Sequence, residues 1–594
     1  MNRKEIWEIL ERKVLPLVQK PGRYTGGEIN SVQKDISRMA GRIALIFPDI
    51  YEIGMSNLGL KILYEEINSQ DNLYAERVFC PWVDMEKYLR DLNIPLFSLE
   101  THSPLTEFDI IGFSLEYELC YTNVLNILSL AGIPLWHRDR LSGAYPLVLA
   151  GGQMACVPEP LAPFIDLFII GDGEEIVVQF MEYYLRYKDK LTKNDFLKQA
   201  AAMSDCIYVP SLYHAGCDSK KRMVRVTPAE GGVPRKIKRH VYRDFAKHYG
   251  PVAPVIPLIR TVHDRATVEI MRGCPRSCRF CQAGSLYKPV RRRDCDIIVS
   301  NADKLLANTG YQELGLLSLS ATDYKGIDTL VASLLERGRR YAVSISLPST
   351  RIDSFSLELI DQISRVKKTG LTLAPEAASA RMLAVIDKGY GPMDVITVAE
   401  QAHKLGYRVI KLYFMIGLPG ETREDLDEMA KVLYRMGKIG FKQINVSIAT
   451  FIPKAHTPFQ WQDFISLDNI GEKQRYLKQA IKARKIKLKF HHPATSFLEA
   501  VFSRGDRLLA PVIYRAYQKG CRFDQWDECF RFDLWLEAFR ECDIAPESYH
   551  TGWRYDDGLP WDHINAGTEK EFLRKRSIQA QELIENSNDI CVLE

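Results

Sequence analysis

The chain has 594 residues, too many for one hydrophobic core, so several domains are expected. With 46% apolar and 26% charged residues it has a globular composition, and no run of 18 apolar residues offers a membrane span. A net charge of +4 argues against a global nucleic-acid footprint, and thirteen cysteines, an odd number without a secretion signal, argue against a disulfide framework.

Met1 to Leu15 mixes charged and apolar residues at helical spacing and lacks the apolar core of a signal peptide. It reads as a surface helix of a cytoplasmic protein, within an N-terminal helix and extended segment over 1–41. Residues 42–185 alternate strands with helices. Arg42–Ile50 reads as a strand and Leu58–Asn68 as a helix, and Asp109–Leu115 and Pro146–Gly152 read as buried parallel strands. Leu167–Ile170 then leads into Gly171-Asp172-Gly173-Glu174-Glu175. The pattern implies an α/β, doubly wound domain. Residues 186–264 read as a connector with small β elements, such as Cys206–Tyr213 and Arg222–Thr227.

A second alternation begins near Thr267. Its strands are Thr267–Arg272, Leu314–Ser320, Ala342–Pro348, Gly370–Pro375, Arg408–Gly417 and Ile444–Ile452. Six β/α units fit a partial (β/α)6 TIM-type barrel over 265–467, with chemistry at the C-terminal strand ends. Residues 468–594 read as a helical, aromatic-rich region. There His491, His492, Glu499, Arg504, Asp506 and Arg507 suggest a cap over the barrel mouth. The basic stretches Lys288–Arg293 and Lys482–Lys489 read as solvated faces before phosphate sites.

The first barrel strand runs into Cys274, Cys278 and Cys281, spaced C-x3-C-x2-C. Three thiolates this close need something to draw them together, and a cubane iron–sulfur cluster does so, each thiolate ligating one iron. Zinc would need a fourth ligand, and no second cysteine pair or nearby histidine follows. The next cysteine, Cys295, lies past Arg291-Arg292-Arg293, so the fourth iron stays open.

Here the chain resembles the radical S-adenosylmethionine (SAM) superfamily, which carries this spacing after the first strand of a partial barrel. The resemblance implies a [4Fe–4S] cluster whose open iron chelates SAM, with reductive cleavage to a 5′-deoxyadenosyl radical. It also implies an electron donor such as flavodoxin or ferredoxin. It matches Phe280 to an aromatic near the adenine. Ser320 and Thr322 fall at the second strand end, where the superfamily often has Gly-Gly-Glu. Glu376 could hold the ribose and Arg381 the SAM carboxylate, with a plain salt bridge or helix cap as the alternative for each. Met415-Ile416-Gly417-Leu418-Pro419-Gly420-Glu421-Thr422 reads as a turn under the adenosyl pocket.

The N-terminal domain resembles cobalamin-binding domains. Asp49-Ile50-Tyr51-Glu52-Ile53-Gly54 keeps the D-x-H-x-x-G spacing with Tyr51 in place of the ligand histidine. Ser114 and Gly151-Gly152 match the residues that meet the nucleotide tail. Together with Phe451-Ile452-Pro453-Lys454, Pro458-Phe459-Gln460-Trp461 and Ser503-Arg504-Gly505-Asp506-Arg507, these motifs resemble a family of radical SAM proteins with an N-terminal B12-binding-like domain. Several members carry a short cysteine-rich tail, which this sequence, ending Cys591-Val592-Leu593-Glu594, lacks. The resemblance implies a radical enzyme of unnamed substrate, a cobalamin-dependent methyltransferase if cobalamin binds. Two alternatives stand beside it. One is a cobalamin-free, methylthiotransferase-like enzyme acting on RNA or protein, with Cys80, Cys120 and Cys156 as candidates for a second cluster. The other is a non-catalytic interaction module.

Overall fold

The computed structural model describes residues 1–217, 223–338, 343–348, 351–354, 357–364 and 371–590. The expected starts of two strands at Ala342 and Gly370, that of Arg222–Thr227, and the C-terminal Cys591–Glu594 lie outside them.

The N-terminal sheet comprises β1 (Gly41–Phe47), β2 (Leu73–Phe79), β3 (Ile110–Ser114), β4 (Leu147–Gly151), β5 (Leu167–Ile169) and β6 (Ile207–Tyr208). Their order is β2-β1-β3-β4-β5-β6, parallel except for β6. Every residue of β1 and β2 is buried, as in a parallel sheet covered on both faces. Strand order reverses between β1 and β3, which places the ligand crevice at their C-terminal ends. The sheet runs past the expected limit at 185, because β6 pairs antiparallel with β5.

A hairpin of β7 (Tyr213–Cys217) and β8 (Met223–Pro228) follows, then β9 (Ile237–Lys238). The barrel begins at β10 (Ala266–Glu269) and β11 (Met271–Arg272), which pairs antiparallel with β12 (Arg291–Arg292) beyond the cysteine loop. Next come β13 (Glu313–Leu317), β14 (Ser344–Ser346), β15 (Leu371–Glu376), β16 (Val409–Ile416), β17 (Gln443–Thr450) and β18 (Ile486–Phe490). They form two parallel sheets, β10-β13-β14 and β15-β16-β17-β18.

Strand β18 corrects the expectation that everything after 468 is helical. Ile486, Leu488 and Phe490 alternate with Lys487 and Lys489, a period of two hidden inside a basic run. Both lysines are exposed on this last strand of the sheet, where charge discourages further pairing.

The Leu509–Lys519 helix packs on the Tyr121–Leu130 helix of the N-terminal domain and on the Phe532–Glu541 helix, and the Pro493–Ser503 helix packs on the Glu118–Cys120 turn, so these three helices turn toward the N-terminal domain instead of forming the expected cap. Arg504 donates to the carbonyls of Gln462 and Thr551, and Tyr549 donates to Asp506. Arg507 pairs with Glu159 at 2.9 Å, and Glu499 joins Glu118 around Lys454. β19 (Ile564–Asn565) pairs with β9, and the final helix, Lys570–Ile590, lies over the cysteine loop. Arg576 donates to Ser277 O at 2.9 Å, and Arg279 donates to Arg576 O at 3.0 Å. No helix among the described residues is long and apolar enough to cross a membrane.

Candidate active site

The cysteine loop leaves β11 through Gly273, whose φ of +89° and contact with Tyr287 O, 2.3 Å from where a Cβ would lie, admit only glycine. Arg279 pins the loop from behind. It donates to Ala384 O and Val385 O at the end of the Ala380–Val385 helix, while its amide donates to Ile386 O. That anchoring leaves Cys274, Cys278 and Cys281 partly exposed and unbridged. Burial raises the Cys274 thiol, and the Cys278 sulfur raises it further. Burial pushes Cys281 up to about 11, with both other sulfurs adding to it. Thiolates gathered here repel one another unless an electrophile binds them, the condition an iron cluster meets. The described residues hold no group of three His, Cys, Asp or Glu set around a single ion. Cluster ligands bind separate irons and so stand farther apart than ligands of one zinc.

Two cations that the sequence did not single out face these sulfurs. Arg351, after β14, reaches Cys278 Sγ at 3.8 Å while paired with Asp353 at 2.8 Å. Lys388 is buried, acts on Cys281, and stands 3.6 Å from Glu376. Their one signal in sequence is position, after a strand or the helix that follows it. Arg276 in the loop pairs with Asp323 and Asp353, tying the loop to the ends of β13 and β14.

The expected SAM contacts divide. Glu376 ends β15 at φ +70°, its carboxyl raised by burial and opposed by Lys388. The Lys388 ammonium stands 5.8 Å from the Phe280 ring centroid, so Glu376, Lys388, Phe280 and Cys281 form one neighbourhood. Ser320 does not face a ligand, because it is fully buried and its hydroxyl donates to Asp323 at 2.6 Å. Thr322 shares a hydrogen bond of 2.6 Å with Ser354. Arg381 donates through Nη2 to Gly420 O and pairs with Asp425, the salt-bridge alternative, while its Nη1 is buried without a hydrogen-bond partner among the described residues. Gly417 and Gly420 both turn through positive φ.

Between the domains lies a cavity of about 420 Å³. On the N-terminal side Ile43, Leu45, Gly112 and Leu149 of the sheet face Ile62 and Leu63 of the Leu58–Asn68 helix across it. Ser114, Gly151 and Gly152 stand at its strand-end rim. Opposite them are Gly273 and Ala283, next to Cys274 and close to Cys281 in the chain, and Leu317 to Leu319 after β13. Gln153 donates to Gln282 across the gap at 3.0 Å. The two glycines differ in kind. Gly152 has φ +93°, and a Cβ there would meet Leu115 O at 2.6 Å, so backbone packing demands it. At Gly151 the nearest atom to a Cβ is Ile169 O at 3.7 Å, so the missing side chain leaves usable space. Such an apolar slot with glycines at its rim suits the nucleotide tail of a corrinoid.

Tyr51 does not belong to this crevice. It follows β1 but is 1% exposed, donates to Glu28 at 3.0 Å and accepts from the Leu258 amide at 3.1 Å. Asp49, on the same loop, is covered by Gln525 and Trp526. The phenol therefore does not stand where a lower cobalt ligand would.

Glu116 is the acid at the rim that the sequence reading passed over, and no cation among the described residues pairs with it. Burial raises its carboxyl to about 7, against one hydrogen bond from the Gln153 backbone. The folded state thus favours the protonated form, and stability falls as pH rises from about 4.5 to about 7. Glu116→Gln removes this penalty. In denaturant titrations the variant gains on the order of 2 kcal/mol over wild type at pH 8 and nothing at pH 4. An equal gain at both pH values would contradict the assignment.

Residues 59–210 match the family described as Radical SAM proteins, N-terminal, and residues 268–433 match the Radical SAM superfamily. An uncharacterised protein of Methanocaldococcus jannaschii is 28% identical over 493 residues, 80% of this chain and 91% of that one. A ribosomal protein uS12 methylthiotransferase of Sulfurimonas denitrificans is 25% identical over 192 residues, 30% of this chain and 42% of that enzyme. A solved structure of a radical S-adenosylmethionine methyltransferase from Kitasatospora setae, with cobalamin and a [4Fe–4S] cluster bound, aligns with TM-score 0.45 and 14% identity. That alignment covers 69% of this chain and 72% of the other.

Proposed function

From the premise that this chain carries a radical SAM domain and is a radical SAM enzyme, we propose that it methylates a substrate held between its two α/β domains, using a corrinoid seated in the interdomain cavity. One observation carries the reading: a single cavity is bordered both by Ser114, Gly151 and Gly152 and by Gly273 and Ala283, which flank the loop of Cys274, Cys278 and Cys281. Reacting groups must come within near-contact, and this arrangement provides for it.

Cys274, Cys278 and Cys281 would hold a [4Fe–4S] cluster, which, reduced by a donor such as flavodoxin or ferredoxin, would supply the electron for SAM cleavage. A bound corrinoid supplies the methyl carrier. The chain's own residues do the positioning. Arg351 and Lys388 place positive charge beside Cys278 and Cys281. Glu376 and Phe280 flank the same point, where a ribose and an adenine could bind. Apolar side chains such as Ile43, Leu45 and Leu149 on the cavity wall would limit water around a group bound there.

The methylthiotransferase alternative draws on the similarity to the uS12 enzyme and needs a second cluster on Cys80, Cys120 and Cys156. All three are buried with thiols raised by burial, and of them Cys156 alone lines the cavity. The geometry favours the corrinoid reading. Anaerobic reconstitution followed by hydroxocobalamin titration tests it: saturable binding of one corrinoid per chain is expected. SAM cleavage with no corrinoid binding would move the enzyme to the cobalamin-free class.

A further inference from the structure

Gly171-Asp172-Gly173-Glu174-Glu175 joins β5 to the Ile176–Tyr187 helix and meets the barrel at a buried charge cluster. Asp172 lies at its centre. Arg291 pairs with it, Arg272 approaches to 3.5 Å and Arg239 to 3.6 Å. Burial alone would raise the Asp172 carboxyl; Arg272, Arg291 and Arg239 together hold it below its ordinary range. Arg272 also binds Glu174 at 2.6 Å and Glu269 at 2.8 Å, and Arg293 lies within the field of Glu269 and Glu174. Four guanidinium groups therefore meet three carboxylates, leaving one positive charge in excess.

The excess has an address. Arg272 is saturated with partners, whereas Arg239, Arg291 and Arg293 each keep open nitrogens, and of these three it is Arg239, 8% exposed, that lines the interdomain cavity. One of its nitrogens donates to Lys288 O, but Nε and Nη1 have no hydrogen-bond partner among the described residues. A buried guanidinium with open donors is costly unless something fills them. Burial accordingly pushes Arg239 below its ordinary value in spite of Asp172. Glu116, the other unpaired ionisable group at the rim, does not compensate it, since its carboxyl responds only to burial and the Gln153 amide.

We propose that Arg239 is the recognition residue for an oxyanion that enters the interdomain cavity. Within the corrinoid reading, on which this source rests, the oxyanion is the phosphodiester of the nucleotide loop; a carboxylate or phosphate on the substrate is the other source of the same chemistry. A guanidinium suits both, because its fork donates two parallel hydrogen bonds to one oxyanion.

Two arms separate the sources. Hydroxocobalamin and cobinamide, which lacks the nucleotide loop and its phosphodiester, are titrated against wild type, Arg239→Lys and Arg239→Gln. In parallel, inorganic phosphate is titrated into the corrinoid-free proteins and Tm is followed. Arg239→Gln should weaken cobalamin at least tenfold and leave cobinamide unchanged, with Arg239→Lys between, and that selective loss identifies the phosphodiester. Unchanged cobalamin affinity with a phosphate-induced rise in Tm that Arg239→Gln abolishes keeps the oxyanion site and assigns it to substrate. Equal weakening of both corrinoids, or no change in either arm, overturns the proposal. Failure of the wild type to bind any corrinoid defeats the corrinoid reading alone, and the phosphate arm still decides the site.

Discussion

Replacing any one of Cys274, Cys278 or Cys281 with alanine abolishes 5′-deoxyadenosine formation, a loss of at least 100-fold, whereas Cys295→Ala and Cys206→Ala retain it. In a cluster held by these three sulfurs each would ligate a different iron, so none could cover for another. The loop itself should survive each change, because it is pinned by Arg279 on the Ala384 and Val385 carbonyls and by Arg276 on Asp323, not by the cysteines. Cys295 opens the Cys295–Thr309 helix and packs against a separate apolar cluster, and Cys206 is buried beside β6. Iron, sulfide and 5′-deoxyadenosine are measured after anaerobic reconstitution, with Tm as the folding control. Full cleavage by the Cys278→Ala protein would sink the cluster assignment. Retention of the biological role by all three variants would favour the interaction-module alternative.

Gly151→Phe lowers hydroxocobalamin affinity at least 100-fold while leaving Tm and iron content near wild type, and Gly152→Ala does the reverse. An added Cβ at 151 makes only an ordinary contact, 3.7 Å from Ile169 O, and Gly151 lines the cavity, so a large side chain there starts from the cavity wall. Such a side chain should take up cavity volume, with Tm as the control for the sheet. At 152 even a methyl group collides with Leu115 O at 2.6 Å, in a backbone conformation that costs a non-glycine residue about 1–3 kcal/mol. The Gly152→Ala protein therefore loses stability first. Equilibrium binding and thermal scans on both variants decide the matter, and wild-type corrinoid affinity in Gly151→Phe would remove the cavity from consideration.

What was legible in the sequence was local. The cysteine spacing, the glycine pair after β4 and the strand–helix alternation each depend on residues a few positions apart, so they survive without knowledge of the fold. Tyr51 was misplaced because spacing fixes where a residue leaves the strand but not which side of the loop it takes. Here Glu28, 23 residues upstream, and Leu258, 207 residues downstream, claim its hydroxyl. Ser320 and Arg381 were read from strand-end position, yet Asp323 and Asp425 capture their polar groups. β18 was hidden because its apolar positions are separated by lysines, which resemble a helix surface until the partner strand is known. Arg239, Arg351 and Lys388 carry no motif, since their meaning comes wholly from elements that the fold brings alongside.

The last helix governs the order in which the molecule can be completed during synthesis. Lys570–Ile590 supplies the carbonyl and the guanidinium that secure Arg279 and Ser277, and β9 waits for β19. These partners emerge nearly 290 residues after Cys281. At ordinary rates of translation that is an interval of roughly 15–60 s. Throughout it Arg279 and Ser277 lack the partners that the final helix supplies. Once the helix docks, Arg279 and Ser277 gain those partners, so the firmness of the cysteine loop depends on residues made long after its sulfurs.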